Sequence, residues 1–237
     1  MRLLVTRPEP DAERTAETLS ARGYAVMLAP LLRMLPIADA DIGDQPWSGV
    51  LVTSANAIRA LAPEQAKMLA GLPLLAVGHQ TASAARAAGF RDVRSAAGDA
   101  ADLVRLAAHA FGGAGGRLLY LTGENQAQDV AAMLAKHGIF VRTSVVYRMA
   151  AATQFPQTAR AALQRGEIDG VLHYSRRTAE AYLACAAAAM VMPAALGPMQ
   201  YCVSDAIAVP LAAAGARRLC IAAQPDEDAL LRLIGDP

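Results

Sequence analysis

Small hydroxyl residues and arginines recur in this sequence directly after short apolar runs. Thr6-Arg7 follows RLLV, Ser54-Ala55-Asn56 follows GVLVT, Thr81 follows LLAVGHQ, Ser175-Arg176-Arg177 follows GVLHY, and Ser204 follows QYCV. A Ser or Thr where a strand turns into a helix caps that helix, its oxygen accepting an orphan backbone N–H. The same helix ends carry free amides and the positive end of a dipole, so several of them together bind anions such as carboxylates. Arg7, Arg176 and Arg177 either add charge-assisted bonds at these turns or sit as solvated surface. Tyr147, in VVYRM, either packs at a strand end or offers a phenol that donates a proton or a hydrogen bond. Together the set suits a small-molecule ligand carrying many carboxylates.

Other chemistries are poorly represented. No G-x-G-x-x-G follows a strand, no G-x-x-x-x-G-K-[ST] occurs, and HYSRR is not a G-x-S-x-G elbow, so dinucleotide, nucleotide-triphosphate and esterase readings lack their turns. The four His residues (His79, His109, His137, His173) are scattered without metal-ligand spacing. A net charge of +1 makes no case for a nucleic-acid or anionic-membrane partner. The basic set is 20 Arg to 2 Lys beside 55 Ala, a bias that GC-rich coding explains as readily as carboxylate recognition. Three cysteines without C-x-x-C spacing fit thiols in a reducing cytoplasm. The start MRLLVTRPEP lacks a long apolar core, and nowhere do 18 apolar residues run together, so neither a signal peptide nor a membrane span is expected.

The elements that must position these residues are legible as alternating patterns. Strands are expected at Arg2–Thr6, Ala25–Leu28, Gly49–Thr53, Leu74–Val77, Arg117–Leu121, Phe140–Val146, Ile168–Tyr174, Gln200–Val203 and Leu219–Ala222. Most are continuous Leu/Val/Ile rather than alternating, which suits parallel strands buried on both faces. Helical patterns lie between them at Asp11–Arg22, Thr81–Ala88, Ala127–His137, Arg177–Ala187 and Ile207–Ala214, and ARGY, AAGF, KHGI and AAGA read as glycine-terminated helix ends. The glycine run Gly112–Gly116 reads as a flexible connector. The class is α/β, built of β-α-β units in a chain long enough for two cores.

An internal repeat is also present. Arg2–Met34 aligns with Arg117–Met149 without a gap, agreeing at 11 of 33 positions, among them Arg2, Leu3, Leu4, Glu9, Leu19, Gly23, Arg33 and Met34. GVLVTS (Gly49–Ser54) then meets GVLHYS (Gly170–Ser175), and Val77–Asp102 meets Val203–Asp228. The pattern predicts two similar α/β lobes with a ligand cleft between them, lined by the residues beyond the strands' carboxyl ends.

The motifs VTRP (Val5–Pro8), VTSANAIRAL (Val52–Leu61), AVGHQTASAARAAGF (Ala76–Phe90), LYLTGE (Leu119–Glu124), VVYR (Val145–Arg148), DGVLHYSRRTA (Asp169–Ala179) and CVSDAIA (Cys202–Ala208), in this order, resemble uroporphyrinogen-III synthases over nearly the whole chain. The resemblance implies two flavodoxin-like parallel-sheet lobes joined by a two-stranded linker, with crossings near Leu32–Pro36 and Val145–Met149. Residues 1–34 with 149–237 would form a discontinuous lobe and 35–148 a continuous one. It further implies a lyase that needs no cofactor; the scattered His residues argue against a metal, the cysteines suggest the cytoplasm, and a small two-lobed protein with its own cleft suggests a monomer. This enzyme would cyclise hydroxymethylbilane, a linear tetrapyrrole with eight carboxylates, to uroporphyrinogen III with loss of water and inversion of ring D. The pyrrole expels its own hydroxyl to give an azafulvene, and the enzyme steers ring D through a spiro intermediate, which is catalysis by positioning and charge stabilisation. On this resemblance Tyr147 assists departure of the hydroxyl, and Ser54, Thr81 and Ser175 contact substrate. Arg7, Ala55, Arg176, Arg177 and Ser204 complete the expected binding set. Ile207 stands opposite Thr81 in the repeat, where some relatives carry a second threonine, which leaves Ser204 for any contact there. A two-lobed binding protein without turnover is the alternative, and a flavodoxin-type electron carrier a third.

Overall fold

In chain order the elements are β1 (Arg2–Val5), α1 (Asp11–Ala21), β2 (Ala25–Leu28), β3 (Leu32–Pro36), β4 (Gly49–Val52), α2 (Ala55–Arg59), α3 (Pro63–Leu69), β5 (Leu74–Ala76), α4 (His79–Ala87), β6 (Val93–Ser95) and α5 (Ala100–Phe111). They continue with β7 (Arg117–Gly123), α6 (Val130–Ala135), β8 (Phe140–Ala151), α7 (Gln157–Gln164), β9 (Gly170–His173), α8 (Arg176–Ala188), α9 (Met192–Leu196), β10 (Met199–Cys202), α10 (Asp205–Ala213), β11 (Leu219–Ile221) and α11 (Glu227–Arg232). This computed structural model describes all residues except 44, 45, 97, 113–115, 127, 236 and 237. The expected connector at Gly112–Gly116 and the expected helix start at Ala127 therefore lie partly outside the described residues.

Two compact units result, Met1–Arg33 with Ala150–Pro237, and Met34–Met149. The first holds a sheet in the order β11-β10-β9-β1-β2, the second a sheet in the order β3-β8-β7-β4-β5-β6. The pairings β1–β2, β1–β9, β9–β10, β10–β11, β4–β5, β4–β7, β5–β6 and β7–β8 are all parallel. When β7 is set against β1, β8 against β2 and β4 against β9, as the sequence offsets direct, the two orders coincide over five strands, and β3 is an additional edge strand of the second sheet. Read outward from β2, the first sheet follows the 2-1-3-4-5 order of flavodoxin-like folds. The chain leaves the first unit in β3 and returns in β8, and these two strands are neighbours.

Burial explains the continuous apolar runs. In β4, Val50 and Val52 join one core cluster with Leu119 and Leu121, while Leu51 joins another with Leu118 and Tyr120. Period-2 alternation is present, but both faces are covered by helices, so neither face reads as polar. In the first unit Leu3, Leu4 and Val5 are fully buried, and each such side chain contributes about 1.5–3 kcal/mol of burial. Helix α1 buries Ala12, Thr15 and Leu19, one face at helical spacing.

The four expected helix ends all close on a left-handed glycine: Gly23 (φ 88°), Gly89 (φ 95°), Gly138 (φ 71°) and Gly215 (φ 100°). After each, an amide reaches back to the last turn, as Tyr24 N–H does to the Leu19 carbonyl at 3.2 Å and Phe90 N–H to that of Ala85 at 3.1 Å.

Several boundaries differ from expectation. Helix α4 starts at His79 rather than Thr81 because Gly78, extended at φ −151°, serves as its N-cap. Thr81 is thus the third helical residue and caps nothing. Strand β8 runs on to Ala151, past the expected end at Val146, since it pairs β7 and then continues beside β3. A helix after Ser54 was expected only through its cap and is the short α2, whereas helices α3, α5, α7, α9 and α11 and strand β6 were not expected, most of them being short or so rich in alanine that the apolar period is blurred.

Candidate active site

The predicted site residues gather at the carboxyl ends of the strands in each unit. In the second unit, Ser54 lies in extended backbone at φ −148° and accepts the Asn56 amide at 3.2 Å, capping α2, of which Ala55 is the first residue. Next to it, the Thr53 hydroxyl and the Tyr120 phenol meet at 2.9 Å. Thr81 is 6% exposed, and its counterpart Ile207 occupies the same third position of α10 at 5%. The N-cap Gly78 offers no side chain, so the first amides of α4 are left without a side-chain acceptor.

Tyr147 sits within β8, partly buried against the core. The β7–β8 register shifts between Thr122 and Gly123, and Tyr147 falls opposite Gly123. Its carbonyl accepts the Glu124 amide at 3.0 Å. The phenol borders a cavity of about 310 Å³ whose walls include Thr53, Tyr120, Thr122, Asn125 and Gln126. None of the described residues lining it is charged, and its polar groups are hydroxyls and side-chain amides. Such walls can donate to a carboxylate without repelling it.

In the first unit, Ser175 caps α8 by accepting the Thr178 amide at 3.1 Å, and its oxygen meets the Thr178 hydroxyl at 2.7 Å. Ser204 is the N-cap residue of α10 but makes no capping bond, so the hydroxyl and the first amides of α10 are not spent on each other. The capping role expected of Ser204 is thereby corrected. Arg176 is exposed and donates to Glu180 at 2.8 Å, an i,i+4 surface pair, and Arg177 beside it is exposed as well. Thr6, expected at the mouth of this turn, is fully buried and donates to the Leu172 carbonyl at 2.7 Å.

Arg7 is engaged rather than open. Its guanidinium pairs with Glu227 at 3.0 Å and Asp11 at 3.2 Å, donates to Thr15 at 3.1 Å, and lies 4.1 Å above the Tyr174 ring. The Tyr174 phenol in turn donates to Glu227 at 3.2 Å. Burial, with the Glu227 charge second, raises the Tyr174 pKa well above that of an ordinary tyrosine. This cluster ties β1, α1, the β9 end and α11 together. Sequence reasoning missed Glu227 because it lies more than 200 residues from Thr15, beyond any spacing signal, although Asp11 stands only four residues from Arg7.

The comparisons with known proteins bear on this arrangement. Residues 13–232 match the family described as uroporphyrinogen-III synthase HemD. The chain belongs to the uroporphyrinogen-III synthase family. That makes it an enzyme of tetrapyrrole biosynthesis, a cyclising lyase, and removes the reading as a binding protein without turnover. Among solved structures it is similar to a uroporphyrinogen-III synthetase from Helicobacter pylori, at 19% identity and a TM-score of 0.65, covering 99% of this chain and 98% of that one. A mutant uroporphyrinogen III synthase from Thermus thermophilus matches at 18% identity and a TM-score of 0.50, over 99% and 96% of the two chains. These likenesses show that the family's fold is kept at low identity. No curated protein matches the sequence. No helix among the described residues is long and apolar enough to cross a membrane, and no group of three or more His, Cys, Asp or Glu among them is placed to hold a metal.

Proposed function

We propose that the chain closes hydroxymethylbilane to uroporphyrinogen III with Tyr147 as the group that assists loss of the hydroxyl. The observation that carries this is the setting of Tyr147, a phenol at the rim of a 310 Å³ cavity walled by uncharged donors. In the step proposed, the pyrrole nitrogen's electron pair pushes toward the terminal carbon, the C–O bond breaks, and the oxygen leaves as water. Tyr147 meets that oxygen with its O–H as acid or hydrogen-bond donor. Such assistance is worth on the order of 10²–10⁴-fold in rate.

Each unit has strand-end turns of a kind that binds carboxylates. Ser54 and Ser175 hold the helices α2 and α8 at strand ends, and α4 and α10 present first-turn amides that no side chain caps. Thr81, Ala55 and Ser204 belong to these same turns, while Arg176 and Arg177 supply exposed positive charge. Arg7 takes a different part, holding the β1 and β9 ends in place through Glu227 and Asp11. The thiols of Cys185, Cys202 and Cys220 are free, which supports a reducing cytoplasmic setting, and a monomer suffices because all of these groups lie on one chain.

The test is turnover of hydroxymethylbilane by the wild type and by Tyr147→Phe. The substitution keeps the ring and removes one O–H, so kcat should fall at least 10-fold with KM within about threefold. Unchanged kcat would mean that the dehydration is driven by the substrate alone.

A further inference from the structure

Gly123 is the last residue of β7 and faces Tyr147 across the β7–β8 ladder. Thr122 lies opposite Val145, and Gly123 lies opposite Tyr147, so Val146 is an extra residue between them. Such a bulge bends the strand and re-aims the side chain that follows. Val146 is 1% exposed and packs in the core, whereas Tyr147, one step later, reaches the cavity rim. A Cβ on Gly123 would stand 2.6 Å from Cζ of Tyr147 and 2.9 Å from both its Cε2 and its hydroxyl oxygen. The phenol therefore lies directly across the bare Cα. Gly123 is not one of the glycines with positive φ, so the backbone itself does not demand glycine here.

We infer that Gly123 is a positioning residue for the reaction: its missing side chain, together with the bulge at Val146, makes the seat that holds the Tyr147 phenol at the cavity. The inference rests on the role given to Tyr147 above. A methyl at Gly123 forces the phenol back by about 0.8 Å to regain the 3.4 Å of ordinary contact. A displacement near 1 Å costs on the order of 10²-fold when a reacting group must be aligned.

Four proteins test this: wild type, Gly123→Ala, Tyr147→Val and the double variant. Each is melted and each is assayed with hydroxymethylbilane for isomer III. Overpacking lowers the melting temperature of Gly123→Ala by about 3–10 °C. In the Tyr147→Val background, where the ring is gone, the same alanine shifts it by no more than about a degree. Gly123→Ala loses roughly 10- to 100-fold in kcat with KM within threefold, and the double variant is no slower than Tyr147→Val alone. An equal melting penalty in both backgrounds overturns the seat, and wild-type kcat in Gly123→Ala overturns its catalytic role. A wild type that forms no isomer III overturns the proposed function and the catalytic role with it, while the paired melts still decide whether the seat exists.

Discussion

His173 gives the stability of the first unit a defined response to acid. It is the last residue of β9 and fully buried, packed edge-on against Tyr182 at 5.2 Å between ring centroids. Gln200 donates both of its amide hydrogens, to the carbonyls of Ala195 at 3.1 Å and Pro198 at 3.0 Å. Its oxygen must then accept from Nε2 of His173 at 2.9 Å, which fixes the Nε2–H tautomer. Nδ1 is left as a bare lone pair with no partner among the described residues. A proton added there would be a buried charge without an acceptor, and burial accordingly pushes the His173 pKa down to about 4. The unfolded chain binds that proton near pH 6.5, so the folded state binds fewer protons between the two values and stability falls with pH through this window. The loss is about 2 kcal/mol at pH 5 and approaches roughly 3 kcal/mol below pH 4. Urea unfolding of the wild type and of His173→Gln at pH 7.5 and pH 5.0 isolates the effect from carboxylates that titrate in both proteins. The wild type should lose about 2 kcal/mol more than the variant over this interval. Equal losses would show that His173 is not held neutral by the fold.

Other outcomes follow from the same contacts. Ser175→Ala removes the oxygen that accepts the Thr178 amide and should cost about 1 kcal/mol in urea unfolding. Its KM for hydroxymethylbilane should rise if the α8 end meets a carboxylate, and unchanged KM would confine Ser175 to capping. Glu227→Gln weakens the Arg7 cluster, but the pair is partly solvated, so the expected cost is at most about 1 kcal/mol and should shrink in high salt. A salt-independent loss would point to packing rather than charge.

The parallel strands were legible because continuous apolar runs such as RLLV and GVLV can only be buried on both faces. The glycine-closed helix ends were legible for a similarly local reason, the left-handed turn at Gly23, Gly89, Gly138 and Gly215. Ser54 and Ser175 could be read as caps because a cap is fixed by its immediate neighbours. Thr81 could not, since Gly78 takes the cap through backbone conformation alone. Arg7 and Asp11 are four residues apart, but Tyr174 and Glu227 in that cluster, and the Thr53–Tyr120 hydroxyl pair, join residues that only the fold brings together, and nothing in their spacing announces them. The bulge that aims Tyr147 is of the same kind. A one-residue slip in a ladder changes which face a side chain takes, and sequence alternation does not record it.

The most direct test of the account is the isomer formed. Hydroxymethylbilane, freshly made, is incubated with the purified protein and without it, and the products are oxidised and separated as uroporphyrins I and III. The account predicts isomer III in clear excess over the protein-free control. Isomer I alone, at the spontaneous rate, would contradict it.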